Sequence, residues 1–280
     1  MNNSAIVYLL NNSSKDIYHF RRSFPLLIKN YYEKFPCDIV CFYEEDFPLL
    51  ELEFLKNQLK DIRIKFYQIN FSIPNYSFGI KNNIPKYFPH PDFPDSTGFS
   101  IGYRHMCRFF AGDIFNHPVI KKYKYIWRLD TDSYILESID YNVFDKLQIN
   151  DSVYGYINIQ DDHPGVTKYL WDQSEYYFRL IHKDEIFSPD NKMIHQNKVF
   201  YTNFEVCDVE WFSSDAYQNY FDFIDSSAGI YHYRWGDHSI RYIALNSLLK
   251  PEQIYFYYDI KYFHQKEYYN NQITRFFNVS

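Results

Sequence analysis

Short apolar runs alternate with helical patterns over the first seventy residues. Segments with the apolar pattern of buried strands lie at residues 5–10, 38–43 and 62–66. Segments with helical spacing lie at residues 20–31, where Pro25 predicts a kink, and at residues 46–59. Strands that alternate with helices in this way indicate an α/β fold whose mostly parallel sheet is covered by helices on both faces.

The pattern fails over residues 71–96, where five of the twelve prolines lie, and a long loop is predicted there. Further helices are predicted at residues 98–116, 167–182, 214–226 and 237–249. Further strands are predicted at residues 123–129, 153–159 and 254–258, and a polar linker at residues 188–198. No linker is long and soft enough to divide the chain, so one domain is expected.

The composition limits the class of protein. A chain of 280 residues with 46% hydrophobic and 23% charged residues can bury a large core, which excludes a disordered chain. A net charge of −6 without a basic stripe argues against nucleic acid as a partner. Four cysteines are too few for a disulfide scaffold, and no CxxC pair suggests a zinc site. No segment predicts a signal peptide, membrane anchor or membrane span, so we expect a soluble cytoplasmic protein.

Two carboxylates, Asp130 and Asp132, directly follow the strand predicted at residues 123–129. Side chains two residues apart at the end of a strand point to the same side, and ligands of open α/β sheets bind at the carboxyl ends of strands. Hard oxygen ligands there suit Mn²⁺ or Mg²⁺, which would bridge the pyrophosphate of a nucleotide-sugar. A solvated acidic turn is the alternative interpretation of this DxD motif.

Several segments around this motif occur in an order that matches a known family. They are residues 102–108 (GYRHMCR), 125–130 (YIWRLD), 203–205 (NFE) followed by Asp208, 234–237 (RWGD) and 259–264 (DIKYFH). Together they resemble the Kre2/Mnt1-like α-1,2-mannosyltransferases of glycosyltransferase family 15. The resemblance extends over nearly the whole chain.

The resemblance implies a GT-A fold in a single domain, with a nucleotide-sugar-binding half at about residues 1–132 and an acceptor and catalytic half at about residues 133–280. The implied reaction transfers mannose from GDP-mannose to a hydroxyl of a mannose-containing glycan or glycoprotein. It retains the anomeric configuration, forms an α-1,2 linkage and depends on Mn²⁺, with Mg²⁺ as a possible substitute.

The same resemblance assigns roles to individual residues. Asp130, Asp132 and His264 are the expected metal ligands. Glu205 is the expected catalytic group nearest the anomeric carbon, where a carboxylate either attacks or stabilises positive charge. The alternative for Glu205 is a buried structural carboxylate bonded to a basic neighbour.

Six further residues are expected to bind the donor or the acceptor: Tyr103, Arg104, Arg128, Asn203, Trp235 and Asp237. An aromatic ring and a guanidinium suit a nucleotide diphosphate. For Arg128 the alternative is an ion pair with a carboxylate, for Trp235 a place in the core, and for Asp237 the cap of the helix that follows it.

Three positions depart from the family pattern. Asp130 stands where the family has glutamate, Asn11 where it has an arginine beside the donor loop, and Tyr201 where it has a tryptophan near the acidic motif. These departures leave room for another nucleotide-sugar donor. Two further alternatives are an inactive carbohydrate-binding relative and a metal-dependent phosphatase, although the chain does not have the clustered ligands of a two-metal site.

Overall fold

The structure is a computed structural model that describes residues 3–74, 100–188 and 197–265, together with the backbone alone of two strands, Glu267–Asn270 and Ile273–Phe276. Most of the predicted loop at residues 71–96, the first residues of the helix predicted from residue 98 and most of the linker at residues 188–198 lie outside the described residues.

The central sheet contains strands from both predicted halves of the chain. Its strands are β1 (Ser4–Leu10), β2 (Asp38–Tyr43), β3 (Ile64–Gln68), β4 (Tyr125–Leu129), β6 (Tyr154–Tyr156), β9 (Phe204–Asp208) and β10 (Ile254–Phe256). Their spatial order is β10-β6-β9-β4-β1-β2-β3. Strand β9 runs antiparallel to both of its neighbours and the other pairs are parallel, so the predicted mostly parallel sheet is confirmed.

Two smaller sheets complete the strands of the described part. Strands β7 (Ile159–Asp161) and β8 (Lys198–Phe200) form an antiparallel pair. Strands β5 (Ser133–Ile135), β11 (Tyr262–His264), β12 (Glu267–Asn270) and β13 (Ile273–Phe276) form the other sheet, in the order β13-β12-β11-β5. Because β5 directly follows Asp132 and pairs with β11, this sheet places the end of β11 beside the DxD motif.

Helices cover both faces of the central sheet. They are α1 (Ser14–Leu27), α2 (Leu49–Gln58), α3 (Ile101–Arg108), α4 (Ile114–Asn116), α5 (Val143–Ile149), α6 (Leu170–Leu180), α7 (Val209–Phe212), α8 (Asp215–Ser226), α9 (Gly229–His232) and α10 (Asp237–Leu248). The hydroxyls of Ser13 and Ser100 accept backbone N–H bonds at the first turns of α1 and α3, which satisfies donors that a helix start leaves unpaired.

Strand β1 shows why the sheet needs helices on both sides. Ala5 and Val7 face one hydrophobic core, whereas Ile6 and Tyr8 face the other, and all four are fully buried. Alternation sends successive side chains to opposite faces, so a central strand must be apolar at nearly every position. This is the continuous apolar pattern that the sequence shows there.

Some predicted boundaries are wrong. The strand predicted at residues 153–159 is two strands, β6 and β7, which belong to different sheets. Pro25 lies inside α1, and the helix widens into a π-helical segment at Ile28–Tyr32. Strands β5, β9 and β11 are absent from the prediction, since they are short and carry polar residues. No helix in the described part of the chain is long and apolar enough to cross a membrane.

Candidate active site

The three expected metal ligands lie together at one end of the central sheet. Asp130 and Asp132 follow β4, and His264 ends β11. One ligand atom from each residue lies within 4.8 Å of the others, with 2.9 Å between His264 Nε2 and Asp132 Oδ1 and 3.9 Å between His264 Nε2 and Asp130 Oδ2. This spacing leaves room for one cation among two carboxylates and an imidazole, a donor set that suits Mn²⁺.

The surroundings of Asp132 favour its ionised form. Burial on its own raises the pKa of the Asp132 carboxyl, but the hydrogen bond and charge of His264 outweigh it, and the pKa is lowered overall. A carboxylate that stays ionised at neutral pH is ready to bind a cation.

The turn that carries Asp130 is fixed by hydrogen bonds from the backbone N–H of that residue. The Asp130 N–H donates to the carbonyl of Asn203 at 3.2 Å and to the Ser133 hydroxyl at 3.1 Å. The Tyr262 hydroxyl bonds to Ser133 Oγ at 2.6 Å. Strands β4, β5, β9 and β11 therefore share one hydrogen-bonded network behind the three ligands.

His264 is oriented by its other ring nitrogen. Its Nδ1 lies 2.8 Å from the Tyr201 hydroxyl and 3.2 Å from the Asn203 amide nitrogen. Asn203 in turn accepts a hydrogen bond from Tyr262 at 2.7 Å. Metal-binding histidines commonly bond their second nitrogen to such a polar partner, because that bond fixes the ring. Asn203 therefore supports His264 in this structure, which is a different contact from the donor or acceptor binding predicted for it.

A cavity of about 530 Å³ opens in front of the three ligands. Its walls come from the ends of β1, β2, β4 and β11 and from the starts of α1 and α3. Nucleotide binding by the first 132 residues stays a prediction. Tyr103 lines the cavity, and so do Asn11, Lys15 and Asp46. The donor-binding role of Tyr103 stays a prediction. The volume suits a small charged ligand such as a nucleotide.

Arg128 lies beneath the cavity, not in its wall. Its guanidinium is 2.6 Å from Asp237, 3.2 Å from Asp130 and 3.5 Å from Glu205, and it packs over the ring of Phe110. The three carboxylates raise the pKa of Arg128 well above its usual value, although burial on its own lowers it. The structure thus places Arg128 in the ion-paired role that was its alternative.

Glu205 is also beneath the cavity. It lies on β9 with 2% of its surface exposed, and both carboxylate oxygens face Arg241, at 3.1 and 3.4 Å. Among the described residues it is not part of the cavity lining. This is the placement of a buried carboxylate bonded to a basic neighbour; a direct role in the reaction stays a prediction.

Asp237 joins the same buried group. Its carboxylate accepts hydrogen bonds from Arg128 and from the Thr202 hydroxyl, the latter at 2.7 Å. Burial on its own raises its pKa, but Arg128 outweighs burial and the pKa falls to about 2. Asp237 is the first residue of α10 and its side chain does not cap the helix, so the predicted cap is wrong.

Two predicted binding residues face the interior. Arg104 is 1% exposed, and its guanidinium donates to the backbone carbonyl of Tyr231. Trp235 is also 1% exposed, stacks on Tyr233 and donates its indole N–H to the carbonyl of Lys168. Both side chains are therefore held by contacts inside the protein, and their contact with donor or acceptor stays a prediction.

Sequence reasoning missed Arg241. It lies in the middle of α10, is fully buried and pairs with Glu205. A charged residue among apolar neighbours in a predicted helix was the available signal, since such residues are buried only when paired.

Comparison with known proteins identifies the family of this chain. Residues 1–277 match the family described as glycolipid 2-alpha-mannosyltransferase. The chain belongs to this family. The predicted resemblance to the Kre2/Mnt1-like enzymes is thereby confirmed.

Relatives in this family include the probable mannosyltransferase KTR3 of Saccharomyces cerevisiae, which is 34% identical over 174 residues, covering 60% of this chain and 43% of the relative. The probable mannosyltransferase MNT3 of Candida albicans is 35% identical over 173 residues, covering 60% of this chain and 45% of the relative. The chain thus aligns with less than half the length of these curated relatives.

Solved structures in the family share the fold. The mannosyltransferase Ktr4p of S. cerevisiae has a TM-score of 0.80 and 26% identity, covering 95% of this chain and 71% of that chain. Core-mannan synthase A of Aspergillus fumigatus, solved in an Mn/GDP form, has a TM-score of 0.78 and 21% identity, covering 96% of this chain and 76% of that chain. The predicted GT-A fold is confirmed.

Proposed function

We propose that this member of the family is a metal-dependent, retaining mannosyltransferase that moves mannose from GDP-mannose to a hydroxyl of a mannose-containing acceptor, with an α-1,2 linkage. The observation that carries the proposal is the convergence of Asp130, Asp132 and His264 at the mouth of the 530 Å³ cavity. Family membership supplies the reaction class.

The residues fit a divalent cation. Two carboxylates and an imidazole would hold Mn²⁺ or Mg²⁺ and leave coordination positions open toward the cavity. Bound there, the ion supplies a Lewis acid that stabilises the negative charge of a departing diphosphate. The A. fumigatus synthase was solved with Mn and GDP, so Mn²⁺ and GDP are the most informative molecules to test for binding.

The remaining lining suits the nucleotide. Lys15 lies in the first turn of α1 and lines the cavity. Its positive charge is therefore close to the N-terminus of the helix, where backbone N–H groups attract anions. Tyr103 lines the cavity, and the guanidinium of Arg234 lies 5.0 Å from the centre of its ring. We propose that these residues contact the diphosphate and the nucleoside of the donor.

A donor screen tests the proposal. Purified protein with Mn²⁺ is incubated with GDP-mannose, GDP-fucose, UDP-glucose and UDP-galactose, each with and without methyl α-mannoside, and nucleoside diphosphate release is measured. Release from GDP-mannose that rises with the mannoside and disappears in EDTA is expected.

Each other outcome identifies a different function. Release from a UDP-sugar alone would replace the donor but keep the transferase. Binding of mannosides without release from any donor would identify an inactive carbohydrate-binding relative.

A further inference from the structure

Four charged residues form a closed group beneath the three ligands, which we call the buried ion cluster: Arg128, Arg241, Glu205 and Asp237. Each has 3% or less of its side chain exposed. Arg128 lies 2.6 Å from Asp237 and 3.5 Å from Glu205, and Glu205 lies 3.1 Å from Arg241. The cluster contains two positive and two negative charges, so it is neutral by itself.

Asp130 is the fifth charge in contact with this group. Its Oδ1 lies 3.2 Å from Arg128 Nη2 and 3.3 Å from Nε, which leaves Oδ2 toward His264. Its side chain is 33% exposed at the cavity. Because Glu205 and Asp237 already balance the two arginines, the Asp130 carboxylate carries a negative charge in excess of the cluster.

The other neighbours of the cluster do not alter this balance. Arg241 completes its hydrogen bonds with the Tyr217 hydroxyl and the Phe110 carbonyl, which are uncharged acceptors. His238 lies 4.0 Å from Asp237, but its ring is paired with Asp162 at 3.0 Å. That pair is neutral when the histidine is protonated.

We infer that Glu205 and Asp237 are positioning residues for the metal site: they neutralise the two buried arginines, so that Asp130 remains available as a cation ligand. This inference rests on the proposed metal site. Asp130 already pairs with Arg128 through Oδ1. Without Glu205 the cluster would keep a net positive charge, which would strengthen the hold of Arg128 on the whole Asp130 carboxylate and oppose a cation at Oδ2. In a water-poor interior this effect is strong, since the charges are poorly screened.

A direct catalytic role for Glu205 makes the opposite forecast. A group that acts on the sugar affects turnover and leaves binding of Mn²⁺ alone unchanged. Metal affinity in the absence of nucleotide therefore separates the two roles, and it does not depend on activity.

The first variant is Glu205→Gln, which keeps the shape and removes the charge. The dissociation constant for MnCl₂ is measured by titration calorimetry without nucleotide. We expect binding at least about tenfold weaker than in the wild type, the lower end of what changes behind metal ligands cost. An unchanged dissociation constant overturns the inference.

The charge-balanced double variant E205Q/R241M is the stronger test, because it removes one charge of each sign. Replacing both partners of a buried ion pair is often tolerated, so this variant is informative even where Glu205→Gln alone does not fold. We expect its Mn²⁺ affinity to return to within about threefold of the wild type, well inside the tenfold effect of the single change. Affinity that stays tenfold weaker overturns the inference.

Two controls separate the possible failures. Asp225 is a buried carboxylate that pairs with Arg108 at 2.8 Å and does not line the cavity. Asp225→Asn should therefore leave Mn²⁺ binding unchanged. A loss equal to that of Glu205→Gln would mean that any buried carboxylate has this effect, and it would overturn the inference. His264→Ala should abolish much of the binding. If His264→Ala binds Mn²⁺ as tightly as the wild type, the proposed metal site is wrong. If His264→Ala loses Mn²⁺ binding but Glu205→Gln keeps the wild-type affinity, the metal site stands and the charge-balance inference is wrong.

Discussion

The three proposed metal ligands and the buried ion cluster use the same kinds of charged side chain in opposite surroundings. At the cavity, two carboxylates and an imidazole lie close together without an arginine between them. Beneath it, two carboxylates lie among two arginines and are almost fully buried. A single side chain, Arg128, touches both groups.

The difference shows what each group can do. A buried charge must be balanced by the protein itself, since water is not there to stabilise it, so the ion cluster has no capacity for a ligand. The carboxylates at the cavity keep an unbalanced negative charge, which a cation can satisfy. Among the four carboxylates, burial therefore separates the proposed ligands Asp130 and Asp132 from Glu205 and Asp237, which are paired inside the protein.

The largest expected effect concerns the stability of the buried group. Arg241→Met leaves Glu205 without its closest partner, and breaking a buried pair from one side costs about 3–5 kcal/mol of unfolding free energy. Urea denaturation of the variant and the wild type measures the loss. A cost below 1 kcal/mol would mean that water reaches Glu205 and that the two regions do not differ as described.

The next effect concerns the cavity. Asp130→Ala should weaken GDP binding in Mn²⁺ by about a hundredfold or more, because losing a ligand costs at least as much as changing a residue behind one. In EDTA the two proteins should bind GDP equally. Calorimetric titrations under both conditions provide the measurement. The control Asp140→Ala removes an exposed carboxylate that pairs with Lys34; equal losses in both variants would contradict the assignment of Asp130.

A smaller effect depends on pH and concerns the edge of the buried cluster. Burial on its own lowers the pKa of His238, but the hydrogen bond and charge of Asp162 raise it by more, so the pKa lies above its usual value. The resulting stabilisation is complete below the unfolded pKa of about 6.5 and is lost as pH rises through the folded pKa. The stability difference between wild type and His238→Gln should therefore shrink from pH 5.5 to pH 9, as measured by urea denaturation. A difference that grows with pH would refute this pairing.

The smallest effect is expected at the surface. Arg21 pairs with Glu51, but nearly half of the arginine side chain is exposed. Exposed pairs contribute about 0–1 kcal/mol, so Arg21→Met should change the unfolding free energy by no more than that. Measured beside Arg241→Met, it gives the contrast between an exposed and a buried arginine. Similar costs for the two variants would remove the distinction.

The sequence predicts the parts of this molecule whose pattern is local. Strands β1 and β2 are nearly continuous apolar runs, β4 is apolar except for Arg128, and the paired aspartates at the end of β4 point to the proposed metal site. Family resemblance adds His264, which no local pattern connects to Asp130.

The parts that sequence reasoning misses depend on distant contacts. Strand β9 carries Glu205 and Asp208, and the charge of Glu205 is balanced inside the sheet by Arg241 and Arg128, which come from other elements. Trp235 looks like a sugar-stacking residue until its packing against Tyr233 places it in the core. Neighbours that are distant in the chain therefore decide whether a motif residue faces the cavity or the core.

The pairing of β5 with β11 also sets an order of assembly. Asp130 and Asp132 are synthesised more than a hundred residues before His264, and β11 must add to β5 before the third ligand arrives. Contacts this distant in sequence form late in folding, since long loops close slowly. A nascent chain that already has strands β1 to β4 still lacks the complete cation site. Tight binding of a cation at the proposed site is therefore expected only after the C-terminal sheet has folded, so cation affinity would report complete folding.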